Sequence, residues 1–186
     1  MTYMVQQLLT FSRIESNTEF LTKQNTMVSR EVIHVITELD PEAHKKQIVI
    51  EFVEDNAVPV IVNGPLVSIL LRNIIDNAIK YTPPKGNILI TVTGQEKYLQ
   101  VCVEDSGPGI APDQYEKSLE RFHRCVETAN TAKGTGLGFA IHNADLILGV
   151  SQFGGLKVTV LFPLPIRPVD NAWQKKLSFF SIRKSS

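Results

Sequence analysis

The stretch between Gly64-Pro65 and Thr82-Pro83-Pro84 constrains the fold most. Proline fits the first turn of a helix, and Thr-Pro-Pro stops one, so the sequence predicts a helix over Leu66–Ile79. Leu70, Leu71, Ile74, Ile75 and Ala78 cover one side of it. Asn73, Asn77 and Lys80 fall at i, i+4 and i+7 and share the other face. Such a helix needs an apolar layer to lie on, and its neighbours read as strands. Ile48–Val53 alternates, Val58–Val62 is short and apolar, and Asn87–Thr93 and Leu99–Glu104 flank a polar turn at Gln95-Glu96-Lys97. Leu156–Phe162 alternates as a last strand ending at Pro163. Val28, Val32, Val35, Ile36 and Leu39 stripe a second helix over 28–46, with Pro41 near its end or at a kink. Residues 1 to about 20 read as a further helix, with Val5, Leu8, Leu9, Ser12 and Glu15 rotating between two faces. The order predicts an α/β (α+β) two-layer sandwich: one mixed, mainly antiparallel sheet with helices on one face.

A chain of 186 residues, 43% hydrophobic, buries enough apolar surface to need no disulfide or metal staple. Nineteen basic against nineteen acidic residues argue against a nucleic-acid binder held by counterion release. Cys102 and Cys125 lack metal-ligand spacing and suit a reducing compartment. No apolar run approaches a membrane span, and no signal-peptide pattern opens the sequence, so the expectation is a cytoplasmic domain. The charge is uneven: five basic residues and one acidic lie between Arg167 and Ser186. There, Trp173, Leu177 and Phe180 sit at helical spacing among Lys175, Lys176, Arg183 and Lys184. A basic amphipathic helix suits a membrane surface or an acidic partner; packing on this domain, or disorder, is the plainer alternative.

Four segments carry chemistry. On the polar face of the central helix, a carboxamide oxygen is a neutral hard ligand able to complete the coordination of a phosphate-borne Mg²⁺; the same face could be simply solvated. Glu104-Asp105-Ser106-Gly107-Pro108-Gly109-Ile110 follows an apolar strand directly. Its glycines admit a flat ligand, and its carboxylate accepts from an exocyclic amine, favouring adenine over guanine by roughly 1–3 kcal/mol; an ordinary Asp-Ser-Gly turn is the alternative. Glu120-Arg121-Phe122-His123-Arg124 sets an aromatic anchor among cations. Gly134-Thr135-Gly136-Leu137-Gly138-Phe139-Ala140 leads into a helix near Gly136, whose free amides favour phosphate. Phe139 stands where a dinucleotide fingerprint needs its third glycine, and no Gly-Lys-Ser/Thr follows for a P-loop. The Gly-, Pro- and polar-rich span from Asp105 to Thr135 is long for a connection in a compact domain, which is usually functional.

In this order, with 28 positions from Asn77 to Asp105 and 29 from Asp105 to Gly134, the segments resemble the N, G1, F and G2 boxes of GHKL ATPases, specifically bacterial sensor histidine kinases. The likeness runs from about Leu8 to Pro165, and Leu8–Ser16 resembles the end of a dimerisation helix. It implies a Bergerat-type (HATPase-like) fold divided into 1–25 as dimerisation-helix end and linker, 26–166 as ATP-binding catalytic domain, and 167–186 as basic tail. It also implies roles. Asn77 coordinates Mg²⁺, with Asn73 a second polar group at the metal and phosphates. Lys80 contacts phosphate, and Tyr81 lies along the nucleoside. Asp105 reads adenine, with Gly107, Gly109 and Ile110 shaping the base pocket. Arg124 and Arg121 reach phosphate from a segment anchored by Phe122, while Gly134, Thr135, Gly136, Leu137 and Gly138 close over the triphosphate. The implied activity is transfer of the ATP γ-phosphoryl group to a His of a dimerisation domain, in cis or in trans, with a response regulator downstream. The implied location is cytoplasmic, free or as part of an inner-membrane sensor. The alternatives are a nucleotide-binding pseudokinase serving as an interaction module, and another GHKL ATPase such as an anti-sigma Ser kinase.

Three departures accompany the likeness. None of His34, His44, His123 and His142 stands in the family's phosphoacceptor context. Asn63-Gly64-Pro65 replaces the Asp that relatives often carry before the proline, which concerns a helix cap. After Ile141, Phe153-Gly154-Gly155 arrives early, by about two helical turns or else one strand. Leu137, Ile141, Ala144 and Leu148 are spaced for a helix, which would sacrifice the first strand of the final pair. Alternatively His142–Ser151 supplies the turn and strand, and the helix is lost. Either loss removes buried side chains worth roughly 1.5–3 kcal/mol each.

Overall fold

The computed structural model describes residues 23–116 and 144–165. In chain order these form β1 (Gln24–Thr26), α1 (Val28–Lys45), β2 (Val49–Asp55), β3 (Val60–Val62), α2 (Gly64–Tyr81), β4 (Asn87–Gly94), β5 (Tyr98–Asp105), a 3-10 turn (Pro112–Gln114), β6 (Asp145–Val150) and β7 (Leu156–Pro163). The expected helix of residues 1–20, the Arg121–Arg124 and Gly134–Gly138 segments and the tail lie outside the described residues.

β2, β4, β5, β7 and β6 form one sheet in that spatial order; β2 and β4 are parallel, and the other neighbours antiparallel. Alternation decides its faces. Ile88, Ile90 and Val92 of β4, Leu99, Val101 and Val103 of β5, and Val160 and Phe162 of β7 point to the buried side. On that side α1 lies over β2, and α2 over β5. Val28, Val32, Val35 and Leu39 of α1 meet Leu70, Leu71, Ile74 and Ile75 of α2 in the same core. Outside it, Arg72 pairs with Glu38, and Ser68 Oγ donates to Glu31 (2.8 Å), fastening the helix seam. Pro41 lies within α1, near its end. Gln47, Asn56 and Lys85 adopt positive φ at the turns after α1, β2 and α2, where the chain reverses tightly.

The sandwich with helices on one face is therefore the observed fold. One strand departs from expectation, and another decides between the two readings left open after Ile141. β1 pairs antiparallel with β3 in a separate two-stranded sheet, although Gln-Asn-Thr carries no strand pattern. Asp145–Val150 is a strand, with Leu146 opposite Val160 and Leu148 opposite Val158. The helical reading that joined Ala144 to Leu148 is thus overturned: the first strand of the final pair is kept.

Asn63 N-caps α2, its side-chain oxygen accepting from Leu66 N (3.1 Å), with Pro65 in the first turn. Replacing Asn63→Ala is expected to cost about 1 kcal/mol of stability. Leu71→Ala, at a fully buried position, is expected to cost about 2–5 kcal/mol. Urea unfolding of the two variants measures both values.

Candidate functional site

The C-terminal half of α2 and the inner face of β5, β7 and β6 enclose a cavity of about 460 Å³. Ile74, Ala78, Val103, Leu146, Leu148, Leu156 and Val158 give it apolar walls, and Asn77, Tyr81, Asp105 and Gln114 supply its polar groups. Pro108, Gly109 and Ile110 complete the lining from the loop after β5. An apolar cleft with a few convergent polar groups is the usual form of a small-ligand site.

Asp105 ends β5 and is only 5% exposed. A buried carboxylate needs donors, and two backbone amides supply them: Gly107 N (2.8 Å) and Leu156 N (3.1 Å) both reach Oδ1. With Oδ1 held, Oδ2 is the oxygen left to accept from a ligand amine. The loop closes tightly here, because a Cβ on Gly107 would stand 3.0 Å from the Tyr81 carbonyl oxygen.

Leu156 N reaches Asp105 from the β6–β7 turn. Ser151 N donates to the Gly155 carbonyl (3.0 Å), Gly154 N to that of Ser151 (2.9 Å), and Phe153 N to Ser151 Oγ (3.0 Å). Gly154 has φ 85. A Cβ at Gly155 would lie 2.3 Å from both the carbonyl oxygen and Oδ1 of Asp105, so only glycine lets the turn approach. Glu104, on the opposite face, braces the same turn by accepting from Gln152 N (3.0 Å).

Of the residues singled out in the sequence, Asn77, Tyr81, Asp105, Gly109 and Ile110 come together around this cavity. Asn73, Lys80 and Gly107 are not among its lining residues. Asn73 is half-buried one turn before Asn77, and the exposed Lys80 stands with its ammonium 5.3 Å from the centroid of the Tyr81 ring. Arg121, Phe122, Arg124, Gly134, Thr135, Gly136, Leu137 and Gly138 lie outside the described residues. Gly155 and Leu156 were missed as site residues; the Gly154-Gly155 pair was the available signal. Cys102 lies on the other sheet face, where burial pushes its thiol above the ordinary value and leaves a poor nucleophile. Among the described residues no cluster of His, Cys, Asp and Glu could hold a metal, and no helix is long and apolar enough to cross a membrane.

Residues 63–166 match the family described as histidine kinase-, DNA gyrase B-, and HSP90-like ATPase. The signal transduction histidine-protein kinase BaeS of Escherichia coli K12 is 37% identical, over 51% of this chain and 22% of its own length. Sensor histidine kinase WalK of Bacillus subtilis is 31% identical, over 88% of this chain and 28% of its own. The chain thus spans about a quarter of the length of these relatives. The catalytic domain of histidine kinase ThkA shares the fold, with a TM-score of 0.62 over 77% of this chain and 99% of that one, at 24% identity. The matched segment runs from the cap of α2 to just beyond β7 and contains every residue lining the cavity. The chain belongs to the histidine kinase-, DNA gyrase B- and HSP90-like ATPase family, and within it is similar to sensor histidine kinases.

Proposed function

We propose that this domain binds Mg²⁺-ATP in the cavity beneath α2 and donates the γ-phosphoryl group to a His of a dimerisation domain, which in turn serves a response regulator. The observation that carries the reading is Asp105: an almost buried carboxylate, held through one oxygen by two backbone amides, in a cavity with apolar walls. Its other oxygen accepts from the adenine amine, and guanine would set a carbonyl against it. Tyr81 lies along the nucleoside, and Lys80, next to it, contacts phosphate. With no acidic cluster among the described residues, the donor set fits an ion carried mainly by phosphate oxygens, to which Asn77 adds one carboxamide and Asn73 a nearby polar group. Mg²⁺ would neutralise charge on the transferred group. Arg121, Arg124 and Gly134–Gly138 supply the remaining phosphate contacts, and Phe122 anchors their segment. A neutral imidazole is nucleophilic near pH 7, so this chain's task is positioning and charge neutralisation. The reaction takes place in the cytoplasm.

A second reading has one observation in its favour. β6 begins at Asp145, which leaves only residues 137–144 between Gly136 and the strand. A nucleotide-binding pseudokinase would follow from closure weakened by that short connection.

Equilibrium titration is expected to give Mg²⁺-dependent binding of ATP and at least about ten-fold weaker binding of GTP. Asp105→Asn should weaken ATP about ten- to a hundred-fold. Gly155→Ala should weaken it at least about ten-fold, because the added methyl displaces the carboxylate it touches. Equal affinity for both nucleotides would refute the adenine assignment. Labelled phosphate should move from ATP to a supplied dimerisation domain and be lost in acid. Binding without transfer would favour the pseudokinase, and an acid-stable Ser product the anti-sigma kinase.

A further inference from the structure

Lys46 follows α1 directly and lines no part of the cavity, yet its side chain ends on the helix that serves it. Its Nζ donates to the carbonyl oxygens of Ile79 (2.7 Å), Lys80 (2.9 Å) and Thr82 (2.6 Å). An ammonium has three N–H groups, and all three find carbonyls here. Those of Ile79 and Lys80 belong to the last turn of α2, where a helix has no N–H to offer and its dipole is negative. The backbone of Lys46 joins in: its carbonyl accepts from Lys85 N (2.9 Å), tying down the turn after the helix. Thr82 between them is fully buried and extended, at φ −66 and ψ 129, and Pro83 bars the helix from continuing.

What this clamp holds is the turn that carries Lys80 and Tyr81. The Tyr81 carbonyl in turn abuts Gly107, whose amide donates to Asp105. A path of direct contacts therefore runs from the Lys46 ammonium through the end of α2 to the carboxylate. The exposed lysine beside it behaves differently: Lys45 pairs locally, with Glu42 (2.7 Å).

We propose that Lys46 is a positioning residue for the nucleotide: it fixes the C-terminal turn of α2 so that Lys80 and Tyr81 meet the ligand in register with Asp105. The inference rests on reading the cavity as an ATP site. Lys46→Met keeps most of the aliphatic stem and removes the donors. It is expected to raise the Kd for Mg²⁺-ATP about ten-fold in a chain that circular dichroism shows to be folded. Lys46→Arg, which returns a cation to the same helix end, recovers part of the loss, and neutral Lys46→Gln does not. Because Lys46 acts through Lys80 and Tyr81, Lys46→Met should add less than its full effect in a Lys80→Met background. Unchanged affinity in Lys46→Met, or full multiplication of the two effects, overturns the proposal. Should Lys46→Met not fold, Lys46→Gln and Lys46→Arg decide the question by the same comparison. Hydrogen exchange in the nucleotide-free chain separates this proposal from the reading beneath it. Loss of the clamp should speed exchange of the Tyr81 and Thr82 amides about ten-fold while those of β4 and β5 hold. If the wild type binds no ATP, the cavity reading fails by itself; equal exchange in variant and wild type removes the clamp.

Discussion

A carboxylate that is almost out of water must be met by donors, and at Asp105 the fold meets it with backbone. The two amides on Oδ1 come from very different distances along the chain, one two residues ahead and one 51 residues ahead. Neither side can retreat: Gly107 packs under the Tyr81 carbonyl, and Gly155 admits no side chain against Asp105. The consequence is a charge with one oxygen fixed and one oriented, which is what discrimination between two purines asks for in the proposed reading. An acceptor on a mobile loop would rotate to suit either base. Here rotation would break two hydrogen bonds inside an apolar wall.

Most of the architecture was legible because its signals are local. The stripe of α1, the bracketed apolar face of α2 and the alternation of β4, β5 and β7 each follow from burial on one side, which fixes their period. β6 was not legible for the opposite reason. Asp-Leu-Ile-Leu-Gly-Val is short and apolar, and Ala144 and Leu148 fit a helix as well as a strand. Only pairing with β7 decides, and pairing is not written within the segment. β1 is more extreme, since three polar residues become a strand only where β3 offers an edge.

The candidate site divides along the same line. Asn77 and Asp105 belong to short motifs whose chemistry shows in their residue types and spacing. Tyr81, Gly109 and Ile110 follow from the family resemblance that those motifs carry, and the geometry brings all five to one cavity. Leu156 contributes a backbone amide, which every residue but proline possesses, so no side-chain pattern marks it. Lys46 is likewise invisible: in sequence it is one of two lysines at a helix end, and only the fold distinguishes the clamp from its solvated neighbour. The part of the apolar wall that Leu146 and Leu148 supply depends on the strand that periodicity left undecided.

The long reach from Leu156 to Asp105 bears on how the molecule is made. Synthesis delivers β4, β5 and α2 well before β7, so the emerging chain possesses Asp105 long before it possesses the donor that completes it. Until β7 docks, the carboxylate faces a half-built wall and has only the Gly107 amide to orient it. Adenine recognition in the proposed reading therefore waits on the docking of β7. A ligand that binds only then stabilises the finished state over every partial one, and so pulls the closing strand into place.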